Sequence, residues 1–528
     1  MIGWEFPYHS QRMPVLARRA VATSQPLAAE AGVEAMRRGG NAVDAALATA
    51  ITLTVVEPNN NGVGSDAFAQ VWDGHALHGL NASGRSPAAW TTERFAGRSS
   101  MPTLGWDSVT VPGAVSAWVA LSSRFGRLPF PALFERAIEY AEDGFLVGPK
   151  TAYYWELLAP QYARFPEFTQ HFTLDGRTPR AGERFRRPEL AATLREIAES
   201  RGESFYRGNL AGRIAAHSAA SGGAMTTEDL AAHTADWVTP LAQRYRDVVV
   251  HEIPPNGQGL ATLIALGILD RLDVARNGVD SVETTHLLLE AMKIAIRTAA
   301  EHIADPAAMR VPPERLLDPD RLALLAQAIR STAAASPATV LPSGPDTVYL
   351  AAADADGMMV SFIQSNFRAF GSGIVIPGTG ISMQNRGLGF SLDPKHPNCV
   401  GPRKRPYHTI IPGFVTDDEG ARMAFGVMGG PMQHQGHLQM VSRIFDFGQN
   451  PQAASDAPRW HIGPEGSFGV AVEAGFPDSL AKGLAERGHK IARGQHEALF
   501  GGAQLIYTLP DGFCAASDHR KEGCAAGF

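Results

Sequence analysis

The sequence predicts an α/β sandwich in which helices cover the outer faces of two stacked antiparallel sheets. Three observations carry the prediction. The first part of the chain is mostly helical by pattern and ends in a Ser/Ala/Pro-rich stretch, residues 331–345. Beyond it the texture changes to β-branched strands separated by Asp-Gly and Gly-Gly turns. At the join, an alternating apolar run from Thr347 to Ala353 turns at Asp354-Ala-Asp-Gly357 and returns as Met358 to Gln364. Asp-Gly between two β-rich runs signals a hairpin.

Taken in order, Ala20–Ser24 reads as a short strand, and Ser24 can cap a helix from Pro26 to Arg38. Gly39-Gly40 stops that helix, and Asn41 caps a second one over Ala42 to Val55. A strand is expected at Ala67 to Trp72, after the loop Asn59-Asn-Asn-Gly-Val-Gly64. Val109-Thr-Val-Pro-Gly113 opens a helix through Ser123, and another follows from Pro131 to Asp143. Residues 153–235 are mostly helical by pattern. Pro254-Pro-Asn-Gly-Gln-Gly259 punctuates before helices at Leu260–Leu269 and Thr284–Ile303. In the second part, further strands are expected at Ala424–Met428, Gly469–Glu473 and Leu505–Leu509, with helices at Gln433–Phe447 and Pro477–Arg487. No repeat of 20–50 residues is present.

At 528 residues the chain can bury a large core, and 45% hydrophobic with 19% charged residues describes a soluble globular protein. A net charge of −6 leaves no basic footprint for nucleic acid. Cys399, Cys514 and Cys524 cannot all pair and lack metal-ligand spacing, which suits a reducing compartment. The start, Met1-Ile-Gly-Trp-Glu-Phe-Pro-Tyr, lacks the pattern of a secretory signal. No apolar run reaches the roughly 18 residues of a membrane span. A cytoplasmic protein without nucleic-acid or membrane partners, cofactor or metal is the expectation. His434 and His437 stand three apart, too weak a pattern to name a metal site without a nearby acid.

Thr347, at the mouth of a strand after a Ser/Ala/Pro-rich linker, suggests a nucleophile released by chain cleavage. Breaking the Asp346–Thr347 bond gives Thr347 an α-amine of pKa about 8 beside its own hydroxyl. One residue then carries both nucleophile and base. The ordinary alternative is a β-forming threonine that merely opens a strand.

The motifs that decide between these readings are spread along the chain. They include Gly39-Gly-Asn-Ala-Val-Asp-Ala-Ala46, Val111-Pro-Gly113, Arg124-Phe-Gly-Arg-Leu-Pro129 and Phe205-Tyr-Arg-Gly208. Glu290-Ala-Met-Lys293, Asp305-Pro306, Lys404-Arg-Pro406, Gly429-Gly430 and Ala457-Pro-Arg459 follow in order. With them the chain resembles the γ-glutamyltransferase family of N-terminal-nucleophile hydrolases over nearly its whole length. The resemblance implies a four-layer αββα sandwich and a proenzyme that cleaves itself between Asp346 and Thr347. Cleavage would leave a large subunit, 1–346, and a small one, 347–528. The two would associate as a heterodimer, and a dimer of heterodimers is a further expectation. Gly429 and Gly430 look like the family's oxyanion hole, and two glycines between a strand and a helix suit that task.

The departures bear on the substrate. Where the family holds an α-carboxylate with arginine, this chain has Leu80-Asn-Ala-Ser83-Gly-Arg85, so that Arg85 lies two residues late. Where the family reads an α-amine, the run is Met383-Gln-Asn-Arg386-Gly-Leu-Gly389, with arginine for glutamine and glycine for the acid. The family's paired serines become His408-Thr409, and its Thr-x-Asn becomes Gln364-Ser-Asn366. A pocket that loses an acid and gains Arg386 should favour an anion without an ammonium group. The expected activity is a threonine amidohydrolase acting on a small anionic amide. Within the superfamily the oxamate amidohydrolases are similar in kind. The alternatives are a γ-glutamyl hydrolase or transferase acting on glutathione, a β-lactam side-chain acylase, and a non-catalytic binding protein on the same scaffold.

Overall fold

The computed structural model describes Trp4 and residues 11–337, 347–464, 466–467 and 469–528. Asp346 and most of the residues before it in the 331–345 stretch lie outside the described residues.

Two seven-stranded sheets form the middle of the molecule. From edge to edge the first runs Cys524–Gly527, Ala20–Thr23, Val348–Ala353, Met359–Ser365, Asp66–Trp72, Leu77–Asn81 and Asp236–Val238. The second runs Val15–Ala17, Gly512–Ala516, Gly502–Leu509, Gly420–Met428, Gly413–Asp417, Val248–Glu252 and Leu241–Tyr245. Every neighbouring pair in both is antiparallel. The expectation that the sheets belong to the second part of the chain needs correcting. Each sheet mixes strands from both sides of the 346/347 junction.

Strand alternation sorts the side chains into three apolar layers. Along Val348–Ala353, Val348, Leu350 and Ala352 join a layer with the helices Pro26–Arg37 and Ala42–Val56. Tyr349, Ala351 and Ala353 point the other way and meet Phe414, Ala424, Met428 and Ile506 of the second sheet. That second sheet packs its outer face on the helices Gly259–Leu269, Val282–His302 and Gln433–Phe445. Helix, sheet, sheet, helix is the αββα sandwich that the resemblance implied.

Local chemistry explains the element ends. Asn41 caps Ala42–Val56 through a reciprocal box with Asp44. Ser24 is not the cap of the first helix. Gln25 Oε1 accepts from the Leu27 and Ala28 N–H groups, and the Ser24 hydroxyl donates to Glu57 instead. The two helices approach closely because Gly32 has no side chain; a Cβ there would lie 2.3 Å from Thr49 Oγ1. The strand expected at Gly469–Glu473 forms as Val470–Val472, in a separate three-stranded sheet with Trp460–Ile462 and Ile491–Ala492. Among the described residues no helix is long and apolar enough to cross a membrane.

Contact between the sheets is tightest at Tyr349. Its ring occupies the space a Cβ on Gly426 would need, at 2.3 Å, and its hydroxyl bonds Ser361 Oγ at 2.7 Å. Gly426→Ala is therefore expected to destabilise the protein by about 1–3 kcal/mol. Thermal unfolding checks this; an unchanged Tm would mean the sheets can separate there at no cost.

Candidate active site

Thr347 sits one residue before the hairpin strand, buried to 1% exposure with φ of 99°. That conformation is an outlier for a β-branched residue. The hairpin pairs Val348 with Gln364, so the next position sets Thr347 opposite Ser365. Thr347 Oγ1 donates to Ser365 Oγ at 2.8 Å, and Ser365 Oγ also accepts from the Phe367 N–H at 2.8 Å. Across the following strand pair, Ser365 lies opposite Asp66. Lateral neighbours in a sheet share a face. Thr347, Ser365 and Asp66 therefore form a polar row across three adjacent strands.

The row ends at His408, whose Nε2 lies 3.1 Å from Asp66 Oδ2 with both side chains fully buried. Asp66 Oδ1 accepts from the Gly84 and Gly113 N–H groups. Burial pushes the Asp66 carboxyl up to about 7, while the neighbouring Arg386 charge pulls it back. Burial, assisted by Arg386 and Arg405, holds His408 well below the usual imidazole range. His408 is thus neutral beside a carboxyl that changes charge near neutral pH.

Arg386 is fully buried, stacks over the Phe367 ring at 4.5 Å and donates through Nη1 to Thr409 Oγ1 at 2.7 Å. Arg386, His408 and Thr409 are thereby brought to one place. Gly389 follows on the same short helix, Arg386–Gly389. A Cβ at 389 would lie 2.3 Å from the Tyr407 carbonyl oxygen, so this backbone excludes an acid at that position.

Two of the expected substrate contacts are engaged elsewhere. Gln364 has the opposite parity to Ser365 and faces the helix layer. Its amide accepts from Trp118 Nε1 at 2.9 Å and donates to Asn61 Oδ1 at 2.8 Å. Arg85 pairs with Asp305 at 3.3 Å and Asp236 at 3.7 Å, carboxylates it shares with Arg405. Asn366 accepts from Ser65 Oγ and donates to Ser382 Oγ, which fixes the end of the hairpin strand to two loops.

Gly429 and Gly430 both take positive φ, 127° and 58°, between Gly420–Met428 and Gln433–Phe445. Gln258, which sequence reasoning treated as loop punctuation, holds this turn. Its Nε2 donates to the Gly430 carbonyl at 2.9 Å and to the Thr409 carbonyl at 2.6 Å. Ser365 and Asp66 were missed as well. The hairpin register alone would have identified Ser365; nothing in the sequence pairs Asp66 with His408.

His437 does not stand beside His434 as a ligand pair, because its Nδ1 bonds buried Glu252 at 2.6 Å. Among the described residues, one cluster has metal-ligand spacing: His286, Glu290 and His489. Its interior is taken by the Lys293 ammonium, 2.8 Å from Glu290 Oε1 and 3.3 Å from His489 Nδ1. That resident cation supplies the charge a metal would bring.

Comparison with known proteins agrees with this geometry. The family model described as gamma-glutamyltranspeptidase matches residues 28–528. The chain belongs to this family. It is 38% identical over 519 residues to a glutathione hydrolase-like YwrD proenzyme of Bacillus subtilis, covering 97% of this chain and 98% of that one. It is 37% identical over 516 residues to an oxamate amidohydrolase proenzyme of Klebsiella pneumoniae, covering 95% and 97%. A crystal structure of cephalosporin acylase from Bacillus halodurans superposes with a TM-score of 0.95 at 46% identity, over 100% of this chain and 99% of that one. The protein is an enzyme of the N-terminal-nucleophile hydrolase type, amidohydrolase-like.

The Asp66 carboxyl makes a pH prediction. A carboxyl raised from its ordinary 3.8 to about 7 stabilises the fold fully below about pH 4, and that contribution is lost as pH rises through about 7. Relative to Asp66→Asn, the unmodified protein should lose up to about 4 kcal/mol between those limits. Denaturation followed from pH 4 to 8 checks this, and parallel curves for the two proteins would contradict it.

Proposed function

We propose that the protein is a self-processing threonine amidohydrolase that releases ammonia from a small carboxylate-bearing amide, with oxamate as the favoured substrate. The hydrogen bond from Thr347 Oγ1 to Ser365 Oγ carries the reading, because it aims a buried threonine hydroxyl along a polar row at the chain junction. The φ of 99° adds support, since holding a threonine there costs on the order of 1–3 kcal/mol, which opening the junction can release.

In maturation, Thr347 Oγ attacks the Asp346 carbonyl carbon and the C–N bond breaks. The hydroxyl proton passes to the freed amine, and water opens the resulting ester. In turnover the same oxygen attacks the substrate carbonyl and the α-amine takes its proton. The developing oxyanion is met by N–H groups at Gly429 and Gly430. Ammonia leaves with the returned proton, and water hydrolyses the acyl ester to the dicarboxylate. The large and small subunits remain together because each sheet is built from both.

Arg386 and Thr409 are assigned to the substrate carboxylate. Gly389 supports an amine-free substrate, because the backbone there leaves no room for an acid. Gln364 and Asn366 act through the scaffold, and Arg85 through its ion pairs. A second reading, side-chain acylase activity, is favoured by the 46% identity to a protein titled cephalosporin acylase.

Intact-mass measurement should show two chains divided before Thr347, and Thr347→Ala should remain one inactive chain. A single uncleaved chain with full activity would sink the reading. For substrate charge, Arg386→Gln should raise KM for oxamate by roughly 10- to 100-fold, the loss of a charge-assisted bond of about 1.5–3 kcal/mol. Self-cleavage should survive that change, which shows that the variant folds. Brisk turnover of glutathione with none of oxamate would refute the assignment.

A further inference from the structure

Beside the Gly429–Gly430 turn lies a cavity of about 500 Å³ that the reaction of oxamate does not use. Ile296, Ala299 and Ala300 of the helix Val282–His302 form one wall, with Phe390, Tyr407 and Pro431 opposite. Ammonia leaving from a primary amide needs no such space. The size falls within the range of small-molecule sites, and the pattern of an apolar wall with few polar groups is theirs too.

One polar group in it is unsatisfied. His434 is 3% exposed and lines the cavity, yet neither ring nitrogen has a hydrogen-bond partner among the described residues. Burial, with the nearby His461 and His437, holds it down at about 3, so the ring is neutral with one donor and one acceptor. A buried, unpaired polar atom is costly, and a ligand that pairs with it removes the cost.

The cavity is placed by Gln258. The same side chain that donates to the Gly430 carbonyl accepts from the Tyr407 hydroxyl at 3.1 Å, so the turn and the cavity wall are one unit. Arg386 and Thr347 do not line the cavity. On the acyl side, Arg386 is closed in against Phe367 and Thr409, which confines that half of the substrate to a few atoms.

We propose that this cavity is the subsite for the amine half of the substrate. The natural substrate is then an N-substituted amide of a short carboxylic half-acid, whose nitrogen bears an aromatic or apolar group with one polar atom that meets His434. The inference rests on Thr347 being the nucleophile and on Arg386 holding the acyl carboxylate.

The test compares oxamate, N-benzyloxamate and N-(4-hydroxybenzyl)oxamate, with adipamate as a primary amide carrying a long acyl chain. The benzyl compounds should exceed oxamate in kcat/KM by at least about tenfold, and Ala300→Trp should cut that ratio by a similar factor. His434→Leu should erase the advantage of the hydroxybenzyl over the benzyl compound, and His434→Gln should keep part of it. Equal turnover of oxamate and N-benzyloxamate, with a ratio untouched by Ala300→Trp, overturns the proposal. Preference for adipamate that Ala300→Trp suppresses also overturns it, since the cavity would then serve the acyl half. Failure of the underlying reading looks different: Thr347→Ala would retain turnover of every amide. If no amide is cleaved, calorimetry with 4-hydroxybenzylamine decides: binding lost in Ala300→Trp supports the subsite, and no binding to the unmodified protein overturns it.

Discussion

The structure depends on the placement of one strand. Val348–Ala353 pairs with Ala20–Thr23 on one side and with Met359–Ser365 on the other, and so sits in the interior of its sheet. Both faces of the strand are covered, one by helices and one by the second sheet. A buried strand must satisfy its backbone hydrogen bonds through its neighbours. A one-residue slip would move Tyr349 from the intersheet layer into the helix layer and leave Val348 against Gly426. The position of the Thr347 hydroxyl is therefore set by packing along the whole strand rather than by the residues that touch it.

That constraint extends to electrostatics. Because Ser365 pairs with Asp66 in the adjacent strand, the threonine hydroxyl and the Asp66–His408 pair share a face with no water between the layers. Isolated charge is expensive there. The fold responds by keeping His408 neutral and raising Asp66 until its charge is poised near pH 7. Arg386 remains the fixed positive charge of the site, held flat against Phe367. A site whose carboxyl is half titrated and whose guanidinium is permanent favours an anionic guest over a zwitterion.

Much of this was legible in the sequence, for identifiable reasons. The hairpin at Asp354–Gly357, the Asn41 cap and the helices at 42–56 and 259–269 rest on local signals, and they form where expected. The interleaving of the sheets was not legible, because strand partners far apart in sequence leave no local trace. Asp236–Val238 and Leu241–Tyr245 were missed since edge strands carry polar residues and lack a continuous apolar run. At the site, Arg386 and Thr409 were marked by departure from a family pattern, and the structure brings them within 2.7 Å. Gln364 was marked by the same reasoning, but strand parity turns it to the helix side. Parity is decided by register, and register was available from the hairpin; Ser365, not Gln364, was the residue it pointed to.

The relatives differ in the activity their names carry, from glutathione hydrolase-like to oxamate amidohydrolase to cephalosporin acylase, while similarity spans almost the whole chain. The architecture explains how both can hold. Groups around Thr347 are fixed by strand register and by two apolar layers, so substitutions there disturb packing across the molecule. Arg386–Gly389, His408–Thr409 and the cavity wall at Phe390 and Tyr407 lie instead on connections between elements. Connections tolerate exchange better than strands do. Gly389 illustrates the mechanism: the approach of the Tyr407 carbonyl forbids a side chain on the present backbone. Restoring an acid there would require the 386–389 turn and the 404–409 segment to move together, and Thr409 would carry its bond to Arg386 with it. A change of substrate charge in this fold is thus a concerted shift of two loops over an unchanged sheet, which is why the family can vary its substrate without rebuilding its nucleophile.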